Sequence, residues 1–176
     1  MKRIGLIVNP IAGMGGRVGL KGTDGADILE RAKRLGARAE SPSRAVETLR
    51  ALAKSNSSFE ILTYPAEMGE AECREAGLEP SVIGSIRGGQ TTAEDTQRAA
   101  AEMAAAAADL ILFAGGDGTA RNIMDTVGLQ IPALGIPAGV KIHSAVFAAT
   151  PQMCGQVAVL FLEGKLSRVR EAEVMD

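Results

Sequence analysis

Short apolar runs, each bounded by glycine, proline or polar residues, recur along the chain and predict five β-strands. The clearest is the uninterrupted run Leu110, Ile111, Leu112, Phe113, Ala114. Runs of this length without alternating polar positions are typical of strands that are buried on both faces of a parallel sheet. The predicted strands cover residues 3–8, 59–64, 81–86, 109–114 and 131–136.

Between these runs, apolar residues recur at helical spacing and predict helices. Ser41 is placed to cap one helix with Pro42 in its first turn, and Thr91 or Thr92 is placed to cap a long alanine-rich one. The predicted helices cover residues 26–35, 41–55, 67–76, about 92–107, the segment that ends at Gly128, and 151–164. Residues 167–175 alternate apolar and polar side chains and predict the beginning of a further strand.

Strands that alternate with helices over short connections predict an α/β fold. We expect a three-layer domain with an open, mostly parallel sheet and helices on both faces. In such sheets ligands bind at the carboxyl ends of the strands. Loops that follow the strands are therefore the first place to look for chemistry.

Composition narrows the class of protein further. The 176 residues suit a single domain, with 46% hydrophobic and 23% charged residues. The net charge of −2 shows no excess of basic residues of the kind that binds nucleic acid or an anionic membrane. Cys73 and Cys154 have no metal-site spacing, and no apolar run has the length of a signal-peptide core or a membrane span. We expect a cytoplasmic protein that binds neither nucleic acid nor membranes.

The segment Gly115-Gly116-Asp117-Gly118-Thr119 follows the clearest strand and opens a helix. Glycines let the backbone approach a ligand closely, and the first amides of a helix attract anions such as phosphate. A carboxylate at this position suits phosphoryl transfer, either beside a metal ion or beside the hydroxyl that receives the phosphate. The alternative is that Asp117 only caps the helix, which leaves the flanking glycines unexplained.

The glycine-rich segment 13–25 matches neither of two common phosphate-binding patterns. It has Val18 where a dinucleotide-binding pattern needs its third glycine, and no Gly-Lys-Ser/Thr follows. Taken alone, the segment is typical of a surface loop. No Gly-x-Ser-x-Gly turn of a serine hydrolase is present in the sequence either.

The motif Gly115–Thr119 resembles the GGDGT signature shared by NAD kinases, diacylglycerol and sphingosine kinases and, more loosely, phosphofructokinases. Residues 135–144, Gly-Ile-Pro-Ala-Gly-Val-Lys-Ile-His-Ser, resemble the corresponding loop of the ATP-NAD kinase group called AcoX-like. Asn9, Pro10 and Gly13 extend the resemblance toward the start of the chain. It therefore covers nearly the whole sequence in order.

The resemblance implies a catalytic role for Asp117, as a base or as a partner of magnesium bound to ATP. Lys141 is the natural partner of a transferred phosphate, Arg121 could neutralise phosphate charge, and Thr91 and Thr92 could face the same cleft. Asn122 stands where related sequences often have an acidic residue, and no metal-binding residue is assigned. The implied nucleotide-binding residues are Asn9, Pro10, Gly13, Gly115, Gly116, Gly118, Thr119, Asn122, Lys141, His143 and Ser144.

The resemblance implies a kinase that uses ATP and Mg²⁺ to phosphorylate the 2′-hydroxyl of NAD, giving NADP. Two alternatives stay open: a kinase for a lipid or another small hydroxyl compound, and a nucleotide-binding domain without activity. We expect a nucleotide-binding domain over residues 1–165, with residues 166–176 as a tail or the start of a second, all-β domain that this chain lacks. The strand predicted to begin in residues 167–175, and apolar surface that would face the second domain, favour a homo-oligomer, because exposed strand edges and apolar patches tend to bind partners.

Overall fold

The structure of the protein is a computed structural model, which describes residues 1–14, 34, 36–87, 91–139, 142–166 and 168–175. Five strands and five α-helices alternate along these residues. The strands are β1 Lys2–Val8, β2 Phe59–Thr63, β3 Ser81–Val82, β4 Leu110–Gly115 and β5 Ala133–Pro137. The helices are α1 Ser41–Ala53, α2 Glu70–Glu75, α3 Ala93–Ala105, α4 Asp117–Val127 and α5 Pro151–Leu162, with a 3₁₀ turn at Ala66–Met68.

The strands form one parallel sheet in the order β3-β2-β1-β4-β5. The chain runs outward from β1 in one direction to β3, then returns to the other side of β1 to form β4 and β5. The order therefore reverses between β1 and β4, and a crevice opens at the carboxyl ends of these two strands. The predicted α/β fold class is confirmed.

Both faces of the central strands are buried. In β4, Leu112 and Ala114 pack into a core with α1 and α5, while Ile111 and Phe113 pack into a second core with α3 and α4. This explains why the sequence of β4 shows a continuous apolar run instead of alternation. The strand can therefore hold the turn that follows it in a fixed position.

The helices α1 and α5 pack closely because one of their contacts involves a glycine. A Cβ atom on Gly155 would lie 2.6 Å from the carbonyl oxygen of Thr48 and 2.7 Å from the Cβ of Ala51. The Thr48 hydroxyl donates a hydrogen bond of 2.9 Å to the carbonyl of Pro151. The beginning of α5 is thereby fixed against α1, next to the carboxyl end of β5.

Two predicted elements are shorter than expected because glycines interrupt them. The predicted strand over 81–86 stops at Val82, since Gly84 has a φ of +66° and lies against the Tyr64 ring. The predicted helix over 67–76 is divided at Gly69, whose φ is +138°, into the 3₁₀ turn and α2. Positive φ values break regular structure and are accessible to glycine.

Four further predictions concern two helix caps and two other segments. Thr92 caps α3 as predicted, in a capping box with Asp95. Ser41 does not cap α1, because Glu40 precedes the helix and the Ser41 hydroxyl donates instead to the carbonyl of Ala12 at 3.1 Å. The predicted strand in residues 167–175 is wrong, since described residues 168–175 form no strand. The predicted helix at 26–35 lies outside the described residues, apart from Arg34.

Glu72 on α2 is a carboxylate within the core. It is 4% exposed, and its Oε2 has no hydrogen-bond partner among the described atoms. Burial raises the pKa of Glu72 to about 7, against the opposing effect of backbone hydrogen bonds and with added repulsion from Glu75 and Glu67. The folded protein therefore holds this proton more tightly than the unfolded chain.

Stability is expected to fall as the pH rises from about 4.5, the ordinary pKa, to about 7, because the folded state binds more protons over this range. Glu72→Gln removes the titration, so the variant should exceed the wild type by about 3 kcal/mol in free energy of unfolding at pH 8, and by much less at pH 5. Urea unfolding at both pH values tests this. Glu79→Gln, on an exposed position nearby, is the control, and unchanged pH dependence in Glu72→Gln would contradict the assignment.

No helix in the described part of the chain combines the length and apolar character that crossing a membrane requires.

Candidate functional site

Three loops meet at the carboxyl ends of β1, β4 and β5, which lie side by side in the sheet. The first is residues 9–14, the second is the glycine-rich turn from β4 into α4, and the third follows β5. The sequence predicted site residues in each of them. The three loops meet because neighbouring parallel strands end at the same edge of the sheet.

Asp117 joins the second loop to the third. Its Oδ1 accepts hydrogen bonds from the Ser144 amide at 3.0 Å and the Ser144 hydroxyl at 2.6 Å. Its Oδ2 accepts one hydrogen bond from the His143 amide at 3.0 Å. Asp117 is the first residue of α4 and does not act as its cap, a position that belongs to Gly116. The capping interpretation is therefore wrong.

The charge of Asp117 is set by these contacts. Partial burial alone would raise its pKa, but hydrogen bonds from the Ser144 side chain and from the Ser144 and His143 amides outweigh it, so the pKa of Asp117 lies below its ordinary value. The carboxylate is thus ionised at neutral pH. Its position at the beginning of α4 also suits a negative charge.

Asn9 joins the first loop to the second. Its Nδ2 donates a hydrogen bond of 3.1 Å to the Thr119 hydroxyl, and its backbone amide donates to the carbonyl of Ala114 at 2.9 Å. Its Oδ1 accepts from the amide of Ile11 at 3.2 Å. Thr119 is only 3% exposed. The two side chains therefore hold the loops together, with Thr119 buried and Asn9 partly buried.

Gly13 brings the first loop against the third. Its φ is +84°, and a Cβ atom at this position would lie 1.9 Å from the carbonyl oxygen of Ala138. Only a glycine fits here, because both the backbone conformation and the contact exclude a side chain. The three loops are therefore connected in pairs by Asn9–Thr119, Asp117–Ser144 and Gly13–Ala138.

The glycines of the turn differ in their surroundings. A Cβ atom on Gly115 would lie 2.4 Å from the Thr119 hydroxyl, so this glycine is needed for packing. Gly116 and Gly118 have open space where a side chain would be, and Gly118 is exposed. The backbone at these two residues is accessible to a ligand, beside the first amides of α4.

The remaining predicted residues occupy varied positions. Arg121, on α4, donates from Nη2 to the carbonyl of Met175 at 3.2 Å. Asn122 is partly buried, and its carbonyl accepts from the Thr126 hydroxyl at 2.8 Å. Pro10 is partly buried in the first loop, His143 is exposed, and Ser144 is 5% exposed. Lys141 lies outside the described residues.

The third loop is supported by the edge of the sheet. Gly135 of β5 donates to the carbonyl of Val146 at 3.0 Å and accepts from the amide of Ala148 at 3.0 Å. The Phe147 ring fills the space beside Gly135 and meets the Phe113 ring edge-on, with centroids 5.2 Å apart. These contacts place His143 and Ser144 over the beginning of α4.

Sequence reasoning missed the backbone partners and a neighbouring cavity. Ala138 contacts Gly13 through its backbone carbonyl group, and nothing about an alanine side chain indicates such a contact. A cavity of about 310 Å³ opens between the third loop and the beginnings of α1 and α5. It is lined by Arg44, Pro137, Gly139, Ala149, Thr150, Pro151 and Gln152. The helical spacing that predicted α1 and α5 does not reveal that their ends adjoin this loop.

The described residues contain no group of three side chains able to hold a metal ion. Asp117 nevertheless has capacity for one more contact. A carboxylate oxygen can accept about two hydrogen bonds, and Oδ2 accepts only that from the His143 amide among the described residues. A magnesium ion carried by a triphosphate, or a hydroxyl group, fits this donor set.

The fold and the loops together define a doubly wound α/β domain with its candidate site at the point where the strand order reverses. Residues 4–166 match the family described as ATP-NAD kinase N-terminal domain. The chain belongs to this family, which supports an NAD kinase-like or related kinase function. No curated protein matches the sequence at a significant level. The AcoX-like subtype stays a prediction.

Proposed function

We propose that the protein is an ATP-dependent NAD kinase that transfers the γ-phosphoryl group of ATP to the 2′-hydroxyl of the adenosine ribose of NAD. The observation that carries the proposal is the meeting of three loops around the ionised Asp117, in a chain of the ATP-NAD kinase family. The accessible backbone at Gly116 and Gly118 supports phosphate binding.

In the proposed reaction, the bond between the γ-phosphorus and the oxygen bridging it to the β-phosphate breaks. A new bond forms between that phosphorus and the acceptor oxygen, the hydroxyl proton is released, and ADP leaves. The amides at the beginning of α4 stabilise the phosphate oxygens. Magnesium bound to ATP supplies charge neutralisation of the phosphates.

The lowered pKa of Asp117 bears on which of two roles the side chain takes. A base that must hold a proton works best with a pKa near the working pH, whereas the pKa of Asp117 is lowered. We therefore propose that its Oδ2 orients the acceptor hydroxyl or a water on magnesium, and that the proton passes on to solvent.

A second candidate is nucleotide binding without transfer. Gly118 and His143 are exposed, so an acceptor bound beside them would stay open to water. Phosphoryl transfer benefits from exclusion of water. A kinase for a lipid or another small hydroxyl compound is the third candidate, because the segment Gly115–Thr119 resembles a motif that lipid kinases share.

The proposal is tested by incubating the purified chain with Mg-ATP and NAD and measuring NADP and ADP by chromatography. We expect equal amounts of both products, and neither in the absence of NAD. ADP formed with diacylglycerol or sphingosine instead of NAD would favour the lipid alternative. Mg-ATP binding without any product would favour the binding domain.

A further inference from the structure

The Ser144 hydroxyl takes part in two hydrogen bonds at once. Its Oγ lies 2.6 Å from Oδ1 of Asp117 and 2.9 Å from the amide nitrogen of Met175. A backbone amide can only donate, and an ionised carboxylate can only accept. The direction of both bonds is therefore fixed by chemistry. The Met175 amide donates to the Ser144 oxygen, and Ser144 donates its single hydroxyl proton to Asp117.

Ser144 has no donor left for a phosphate group. Its hydroxyl and its backbone amide both donate to Oδ1 of Asp117, the amide at 3.0 Å. Charged phosphate oxygens need donors from the protein. The residue is also 5% exposed. Direct binding of a nucleotide phosphate by Ser144 would therefore require one of its bonds to Asp117 to break.

The bonds from Ser144 make the two oxygens of Asp117 unequal. Oδ1 accepts two hydrogen bonds from Ser144, which is about the capacity of a carboxylate oxygen. Oδ2 accepts one among the described residues, from the His143 amide at 3.0 Å. Because the carboxylate is planar, anchoring Oδ1 also fixes the direction in which Oδ2 points. One acceptor position on Oδ2 is thereby left in a defined direction.

Residues 173–175 hold Ser144 in this position. The carbonyl of Glu173 accepts a hydrogen bond from the Ala145 amide at 3.2 Å. Val174 packs against the core formed with α3 and α4. These contacts on either side of the Ser144 bond place the Met175 amide beside the hydroxyl oxygen. None of the motifs in the sequence indicates that this segment reaches the site.

We propose that Ser144 is a positioning residue for Asp117, in a relay of two hydrogen bonds that runs from the Met175 amide through the Ser144 hydroxyl to Oδ1. The inference rests on the proposed function, in which Oδ2 orients the acceptor hydroxyl or a water on magnesium. The Met175 amide polarises the hydroxyl and strengthens its bond to Asp117. Gly118 and His143 stay exposed beside the relay, so the relay leaves the ligand surface open.

The first test is Ser144→Ala, which removes the hydroxyl and keeps the amide. We expect kcat for NADP formation to fall at least about tenfold, because Asp117 loses its fixed orientation. The KM for Mg-ATP should stay within about twofold of the wild-type value, because Ser144 gives no donor to phosphate. Ser144→Thr restores a hydroxyl and should recover most of the lost rate. Initial rates over a range of Mg-ATP concentrations measure both constants.

The second test addresses the beginning of the relay. Met175→Pro removes the amide that donates to Ser144, and we expect it to lower kcat about threefold, the effect of one ordinary hydrogen bond. Its matched control is Met175→Ala, which shortens the side chain and keeps the amide. The control should lose much less of the rate. Equal rates in the two variants would show that the Met175 amide has no part in positioning Asp117.

A third readout needs no nucleotide. Burial alone would raise the pKa of Asp117, and the Ser144 side chain is the first of the hydrogen-bond donors that lower it. The pKa of Asp117 should therefore be higher in Ser144→Ala than in the wild type, and Met175→Pro should change it in the same direction. Carbon NMR of the Asp117 carboxyl group over a pH titration measures this, with Asp117→Asn to identify the signal. The same spectra show whether each variant is folded.

The outcomes separate the relay from the proposed function. An unchanged kcat in Ser144→Ala, or a KM for Mg-ATP raised tenfold with kcat kept, overturns the positioning role while NADP formation by the wild type stands. If none of the proteins forms NADP, the proposed function is contradicted, and the carboxyl titration then decides whether Ser144 and Met175 orient Asp117. A pKa of Asp117 that is the same in the wild type and Ser144→Ala overturns the relay.

Discussion

Asp117→Asn is expected to lower the rate of NADP formation roughly a hundredfold or more. The amide removes the negative charge that orients the acceptor or magnesium. It also places an N–H donor opposite donors of the third loop, because His143 and Ser144 present only N–H and O–H groups to this side chain. The expected effect is therefore on catalysis and on loop position together, and initial rates measure it.

The control for this variant is Asp125→Asn, which makes the same change on an exposed position of the same helix. It should retain the wild-type rate. Asp117 also contributes stability that is present above the ordinary pKa and lost as the pH falls through its lowered pKa. An Asp117→Asn variant with full activity would show that the assigned role of Asp117 is wrong.

Gly13→Ala is expected to abolish the association of the first loop with the third. The new Cβ atom would lie 1.9 Å from the Ala138 carbonyl oxygen, which belongs to the backbone and cannot move aside as a flexible side chain does. We expect Mg-ATP affinity to fall at least about tenfold, because the crevice loses one of its walls. Calorimetric titration of the folded variant measures the change.

Gly36→Ala is a matched control for the backbone conformation. Gly36 has a φ of +78°, close to that of Gly13, yet it has open space where the side chain would be. This variant should show only the cost of about 1–2 kcal/mol for a positive φ, without loss of Mg-ATP affinity. Equal loss of affinity in both variants would show that the contact with Ala138 is unimportant.

Burial on both faces made β1 and β4 predictable. Their apolar runs reflect the two cores that they separate, so the α/β class and the edge that carries the site follow from the order of residues alone. The edge elements were less predictable. Gly69 and Gly84 have positive φ where regular structure stops, and a side chain at either position would collide with Thr63 or Tyr64. The sequence does not reveal these neighbours.

The site was predictable as a set of residues but not as a set of contacts. Sequence placed Asn9, Asp117 and Ser144 after strands, and parallel order then brings them together. It could not show that Asn9 bonds the Thr119 hydroxyl, or that Gly13 packs on a carbonyl, because backbone partners leave no side-chain signal. The alternation in residues 167–175 suggested a strand, whereas its described part bonds to Ser144 and Arg121 instead.

The measurement that tests the central claim most directly is calorimetric titration of the wild-type chain with Mg-ATP, at a protein concentration high enough to detect micromolar binding. The claim is that the three connected loops form a site for nucleotide phosphates. We expect one molecule of Mg-ATP to bind per chain, with affinity lost in Gly13→Ala and kept in Gly36→Ala. Absence of Mg-ATP binding by the wild-type chain would contradict the claim.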